Sequence, residues 1–343
     1  VRAVVIEQAR HVEVRDLPDP RPGPDQVLLR VAYVGICGSD LNYYHRGATG
    51  EYALREPLVP GHELSATVEL DPTGALAPGT PVTVHPARFG EPVPGLADAP
   101  HLWPGGSYLG SAATWPHTQG AACELLVVER SMVRVLPPGL TLRLAALAEP
   151  LAVALHGIAL GGGVVGRRVL VSGAGPIGLL AVAACVAQGA SEVVASDVLA
   201  APLQRARALG AAATVNLTEE EVPASSFDVV LECSGAAAAV TTAVSAARRR
   251  GTVVQLGMLA GEPRPINLAP MLAKELTMVG TFRFADEIDD AVAVLAAHPG
   301  LEFVITHEFG IDDDAVLAEA FTTARDGDAS GKVLLRLAGS SRG

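Results

Sequence analysis

The chain has 343 residues, 49% of them hydrophobic, and a formal net charge of −12. That length accommodates two domains, the abundance of Ala, Gly and Val suits an α/β protein with buried parallel strands, and the acidic balance argues against nucleic acid or an anionic membrane as partner. No apolar run is long enough to span a bilayer and no charged-then-apolar leader is evident, so a cytoplasmic location is expected. The four cysteines, Cys37, Cys123, Cys185 and Cys233, are scattered without a C-x-x-C pair and signal neither a disulfide framework nor a compact four-cysteine zinc site.

From Val1 to about Leu136 the pattern is one of short β-like runs separated by Pro and Gly: Ala3 to Ile6, Val27 to Val34, Ala66 to Glu69, Val82 to Val84 and Glu124 to Val128. It predicts an irregular, mostly β domain. The Gly-, Pro- and His-rich stretch Pro86 to Gly120 reads as a long loop, and a loop of that length is usually functional or disordered. Its Trp103, Tyr108, Trp115 and His117 either line a pocket or fill the underside of the loop.

A dinucleotide fold is expected to begin near Glu149. Val169 to Val171 form a strand, Gly173-Ala174-Gly175-Pro176-Ile177-Gly178 a tight turn, Leu179 to Gln188 a helix, and Val193 to Ala195 a second strand that ends on the acid Asp197. A G-x-G-x-x-G is informative only in this strand–turn–helix context. The first Gly makes the turn, the second admits a pyrophosphate, the third lets helix and strand approach, and the phosphates meet the helix N-terminus. Asp197 would accept hydrogen bonds from the adenosine ribose and would repel a 2′-phosphate, so NAD is favoured over NADP. The alternative is a βαβ unit of a flavodoxin-like protein without a dinucleotide. Further strands are expected at Phe227 to Leu231, Val253 to Leu256 and Thr277 to Gly280, a helix at Ala285 to Ala297, and a closing strand at Lys332 to Leu337. The C-terminal segment would return to the first domain, giving boundaries of 1–148, 149–283 and 284–343, with only Ala338 to Gly343 disordered.

Three pieces outside the nucleotide fold carry potential metal ligands: Gly35-Ile36-Cys37-Gly38-Ser39-Asp40, Gly61-His62-Glu63 and Ala148-Glu149-Pro150-Leu151. Cys, His and Glu form a suitable mixed set for a catalytic zinc, because three protein ligands leave a fourth position for substrate. Taken singly, Cys37 reads as a buried thiol, His62 as a turn residue and Glu149 as a charge at a helix N-terminus.

Together the motifs G-I-C-G-S-D, G-H-E, E-P-L-A-V-A-L-H, G-A-G-P-I-G, the strand-end Asp and V-G-T-F-R-F resemble the zinc-dependent medium-chain alcohol and polyol dehydrogenases over essentially the whole chain. The sorbitol and L-idonate dehydrogenase branch fits best, and Gly110-Ser111-Ala112 through Pro116-His117-Thr118-Gln119-Gly120 is similar to L-idonate 5-dehydrogenases. The resemblance implies a Rossmann doubly wound parallel sheet inserted in a mostly β, GroES-like catalytic domain. It implies Cys37, His62 and Glu63 as zinc ligands, with Glu149 either ligating directly or holding water at the metal. Asp40 would orient the zinc histidine, and Ser39 would pass on the alcohol proton. Tyr43, Glu149 and Arg283 match positions that touch polyol substrates, with Arg283 apt for a sugar-acid carboxylate. A homotetramer or homodimer is implied.

Four residues or sets depart from the family pattern. Asn42 stands where a relay histidine is frequent, so water or His45 would have to continue the proton path. The structural-zinc cysteines are absent between Pro86 and Gly110, which predicts one zinc per subunit. Pro202 replaces an Arg often found near the ribose, and Phe284 replaces a substrate-contacting Tyr. The expected function is NAD- and zinc-dependent oxidation of a secondary alcohol of a polyol or sugar acid, L-idonate first. The alternatives are a sorbitol- or xylitol-type polyol dehydrogenase, a zinc-free quinone or enoyl reductase, and a non-catalytic NAD-binding sensor.

Overall fold

The computed structural model describes residues 1–259 and 261–337; the segment Ala338 to Gly343, expected to be disordered, lies outside them. Two sheets organise the chain. The first has seven strands, running Val133–Val135, Pro81–Val84, Glu63–Leu70, Gln26–Gly35, Lys332–Arg336 and Ile305–Gly310 across the sheet, with Leu125–Glu129 paired antiparallel to Gln26–Gly35. Lys332–Arg336, from the end of the chain, hydrogen-bonds antiparallel to Gln26–Gly35 from its beginning.

The second sheet has six parallel strands in the spatial order Ala213–Asn216, Glu192–Asp197, Arg168–Ser172, Phe227–Glu232, Ala247–Gln255 and Thr277–Gly280. Numbered along the chain this is 3-2-1-4-5-6, the doubly wound dinucleotide-binding order. Val169, Leu170 and Val171 are fully buried, as strands covered on both faces must be, and so read as an unbroken apolar run. The turn that follows needs its glycines. Gly173 has a left-handed φ of 93°, and a Cβ at Gly178 would lie 1.8 Å from the Gly173 carbonyl oxygen. Pro176 then occupies the first turn of the helix Pro176–Ala187, where its missing N–H costs nothing.

The chain leaves the first sheet through the helix Ala148–Leu160 and comes back to it at Ile305–Gly310. The expected helix Ala285 to Ala297 begins only at Ile288 and packs against Ala148–Leu160. Before it, residues 282–287 form a turn. The stretch Pro86 to Gly120 is folded back on itself: Ala87–Arg88 pairs with Ser107–Tyr108, and the Trp103 indole donates to the Leu96 carbonyl at 2.7 Å. No helix among the described residues is long and apolar enough to cross a membrane.

Candidate active site

The segment that follows strand Gln26–Gly35 turns into the helix Gly38–Arg46 with Cys37 at its N-cap. Asp40, in the first turn, reaches back to accept a hydrogen bond from the Cys37 N–H (2.9 Å) and a second from the Gly61 N–H (3.2 Å). It therefore joins the two segments that carry Cys37 and His62 through their backbones. Among the described residues no hydrogen bond joins Asp40 to the His62 ring, and its influence there is electrostatic. Burial raises the Asp40 pKa, opposed by His62 and the two N–H donors.

One donor atom each from Cys37, His62 and Glu63 lie within 4.8 Å of one another, and His62 and Glu63 are buried. Burial presses His62 toward neutrality, yet the Cys37 sulfur, with Glu149 and Asp40 behind it, raises its pKa to about 10. The groups around the His62 ring thus favour positive charge there. Room for the Glu63 carboxylate comes from Gly35, where a Cβ would stand 2.1 Å from Glu63 Oε2. A half-buried thiol with a buried imidazole and a buried carboxylate, so arranged, fits zinc.

Glu149 lies in the first turn of Ala148–Leu160, is buried, and falls outside this three-residue group. Its Oε1 accepts a 2.5 Å hydrogen bond from the Tyr108 hydroxyl. Burial raises the Glu149 pKa, with His62 pulling it down and Glu63 pushing it up. Tyr108 also sets its ring against that of His62, 5.3 Å between centroids, and carries the Arg283 guanidinium over its face at 4.0 Å. It is the residue that links the candidate site groups, and the sequence left it among four aromatic residues of one loop with no signal to choose between them. Of the others, Trp115 is exposed beneath the Arg55 guanidinium, and His117, whose Nε2 accepts from the Arg55 N–H, lines a cavity apart from this site.

Arg283 has a left-handed φ of 54°, and among the described residues its side chain makes no hydrogen bond or ion pair. Burial lowers its pKa, and Tyr108 and Glu149 raise it. Tyr43 is buried, and its hydroxyl oxygen accepts from the Ala112 N–H at 3.0 Å, so this side chain braces the loop as well as facing the Arg283 side of the site. The Ser39 carbonyl accepts from Thr49, while its hydroxyl makes no hydrogen bond among the described residues. Six residues after Ser39 lies about 120° away round a helix, and His45 lies near Arg325 and Arg10, which together with its burial depress its pKa. Phe284 is buried against the His85 ring, 4.7 Å between centroids, and faces the interior.

At the nucleotide sheet, Asp197 Oδ2 accepts from the Ala174 N–H at 2.7 Å and Oδ1 from Leu199 at 3.0 Å, so the strand-end acid braces the glycine turn. Beside them lies a cavity of about 550 Å³ lined by Gly173, Asp197, Glu220, Glu221, Ser234 and Thr241, among others. Gly175, Pro176, Ile177 and Gly178 continue the turn into the helix. A larger cavity of about 700 Å³, lined chiefly by apolar residues such as Val5, Leu17 and Leu126, contains none of the candidate residues.

Residues 23–138 match the family model for the alcohol dehydrogenase GroES-like domain, and residues 176–297 match that for zinc-binding dehydrogenases. The chain belongs to the zinc-dependent alcohol and polyol dehydrogenase family. Sorbitol dehydrogenase of Gallus gallus is 33% identical, over 97% of this chain and 96% of its own. The crystal structure of L-idonate 5-dehydrogenase from Escherichia coli superposes with a TM-score of 0.91 at 30% identity, over 98% of both chains. A Sinorhizobium meliloti structure solved with NADP bound gives 0.85 at 30% identity, also over 98% of both. Within this family the enzyme carries a folded Pro86–Gly120 loop without cysteines, held by the strand pair, the Trp103 bond and the Tyr43 brace.

Proposed function

We propose that this enzyme oxidises a secondary alcohol of a polyol or sugar acid, with L-idonate the leading substrate, using one zinc ion and NAD. Cys37, His62 and Glu63 would hold the metal; the close approach of their donor atoms in a buried pocket is the observation that carries the reading. When bound, zinc supplies a Lewis acid that lowers the pKa of an alcohol hydroxyl, and NAD supplies the hydride acceptor. The remaining work falls to the protein. Ser39, with its hydroxyl uncommitted, takes the substrate's hydroxyl proton. Asp40 keeps the Cys37 and His62 segments in register. Glu149, its Oε1 held by Tyr108 and lying outside the Cys37–His62–Glu63 group, orients the substrate's polar groups. Arg283 receives the carboxylate, consistent with a guanidinium that no protein acid occupies. Tyr43 closes that side.

Gly173, Gly175, Pro176, Ile177 and Gly178 would cradle the pyrophosphate, and Asp197 the ribose, with Glu220 and Glu221 adding negative charge to the same cavity. This supports NAD over NADP. The reading goes with segments 1–148, 149–283 and 284–343, and with a homotetramer or homodimer. The test is NADH formation with L-idonate, sorbitol, xylitol and a simple secondary alcohol, before and after zinc removal. Metal-dependent turnover on L-idonate is expected. Turnover on neutral polyols alone would replace the sugar acid with a sorbitol-type substrate, and metal-independent activity would overturn the zinc assignment.

A further inference from the structure

The Arg283 guanidinium rests on aromatic faces, Tyr108 at 4.0 Å and Phe282 at 4.7 Å, with a backbone conformation that L-residues avoid. A strained residue keeps its geometry only where its surroundings over-determine it. The source of that constraint lies two to four residues downstream, outside the groups assigned to chemistry. Glu287 Oε2 accepts from the N–H groups of Ala285 (2.8 Å) and Asp286 (3.1 Å), so the carboxylate gathers in the turn's own backbone. Its other oxygen meets His156 Nδ1 at 2.6 Å, on the buried side of helix Ala148–Leu160. An ionised carboxylate only accepts, so Nδ1 is the donor. Nε2 of the same ring has no partner among the described residues, so Glu287 alone fixes the polar orientation of His156.

A second tether comes from the first sheet. The Ala87 N–H donates to His85 Nδ1 at 3.2 Å, which leaves the ring proton on Nε2, and Nε2 lies 2.7 Å from the Ala285 carbonyl. His85 itself is anchored by its N–H to the Met132 carbonyl at 2.7 Å, and its ring covers the buried Phe284. The turn is thus pinned from a helix on one side and from the first sheet on the other. Arg283 is the half-buried product of that pinning.

We propose that His156 and Glu287, with His85, are positioning residues that lock the 283–287 turn and so hold Arg283 as a seat for the anionic group of the substrate. The proposal rests on the reading of Arg283 given above. A seat built this way discriminates between substrates, because it acts on the ligand that carries a carboxylate and leaves one without it untouched.

Calorimetry on the zinc-loaded enzyme saturated with NADH tests it. That complex lacks a hydride acceptor, so L-idonate and sorbitol affinities are read without turnover. His156→Leu and Glu287→Gln are expected to weaken L-idonate binding about tenfold, the scale of one lost orienting interaction, with sorbitol affinity and zinc content held within twofold. His156→Asn, whose amide N–H can stand where Nδ1–H stands, should recover most of the loss. Arg283→Ala sets the limit. If it abolishes the preference for L-idonate while Glu287→Gln and His156→Leu leave that preference intact, the clasp is refuted and Arg283 stands. A parallel fall in L-idonate and sorbitol binding would also refute it, since that is general loosening. If Arg283→Ala changes neither affinity, the sugar-acid reading itself has failed and the clasp falls with it.

Discussion

Lys332 Nζ donates to Glu63 Oε1 at 2.7 Å and lies 2.6 Å from Oε2, linking two buried residues 269 positions apart in the sequence. A third contact runs to the Ile36 carbonyl at 3.2 Å, one residue before Cys37. Burial alone would lower the Lys332 pKa, but Glu63 raises it, so the ammonium is charged where it meets the metal pocket. The final strand thereby ties down both segments from which the candidate ligands come. Removing one partner of a buried pair strands the other charge, so Lys332→Met should lower the free energy of unfolding by about 3 to 5 kcal/mol. Denaturant titration with metal analysis checks this, with zinc retention expected to fall as well. A loss below about 1 kcal/mol would mean the pair is not ionised as described.

One zinc per subunit is the second expectation. Burial pushes the thiols of Cys123 and Cys185 up to about 12, and that of Cys233 well above its ordinary value, so none is a ready thiolate ligand. Cys37→Ser should empty the site. Replacing the other three cysteines by Ala should leave zinc content unchanged by elemental analysis. Two ions per subunit in the unmodified enzyme would contradict this.

What the sequence carried and what it hid divide along physical lines. Gly173 and Gly178 were legible because steric necessity leaves a compositional trace, whereas Cys37, His62 and Glu63 stood out as a set only through the family resemblance of the motifs that carry them, since single donors far apart in sequence signal little. Tyr108 was not legible: its reach to Glu149 depends on the path of the loop, set by the pairing of Ser107–Tyr108 with Ala87–Arg88. Lys332 was read only as the start of a strand, and its role depends on the pairing of the last strand beside Gln26–Gly35. The helix start was misplaced at Ala285 because Ala, Asp and Glu suit a first helical turn. Here the Glu287 carboxylate instead binds the backbone of the preceding residues and holds them as a turn.

The Tyr108 hydroxyl and ring have separable duties. Tyr108→Phe removes the donor to Glu149 and keeps the face beneath Arg283, and should lower kcat/KM about tenfold while retaining any preference for an anionic substrate. Tyr108→Leu removes both and should lose the preference too. Steady-state kinetics on L-idonate and sorbitol for the two variants separates these effects, and equal behaviour of the pair would show that the hydroxyl alone matters.

In the cavity proposed for the cofactor, Asp197 with Glu220 and Glu221 makes the wall acidic. A 2′-phosphate brought there meets like charge, so kcat/KM with NAD should exceed that with NADP by on the order of 100-fold. Asp197→Ala should narrow the ratio chiefly by improving NADP. Because Asp197 also accepts from the Ala174 N–H, the variant should weaken NAD as well. Comparable use of both cofactors by the unmodified enzyme would overturn the preference.

The Glu287 clasp has a pH signature whose sign is fixed. Burial by itself would raise this carboxyl, but the His156 hydrogen bond and the turn's N–H donors overcome it and lower the pKa from 4.5 to about 2. A group with a depressed folded-state pKa stabilises the fold above its unfolded value, and that contribution is lost as pH falls through the folded one. Glu287→Gln removes the titration. The stability difference between the unmodified enzyme and the variant should therefore be flat above about pH 5 and shrink steadily toward pH 2. Urea unfolding of both proteins across that window is the measurement. A difference that stays constant down to pH 2 would mean that Glu287 enters the folded state without the charge that orients His156.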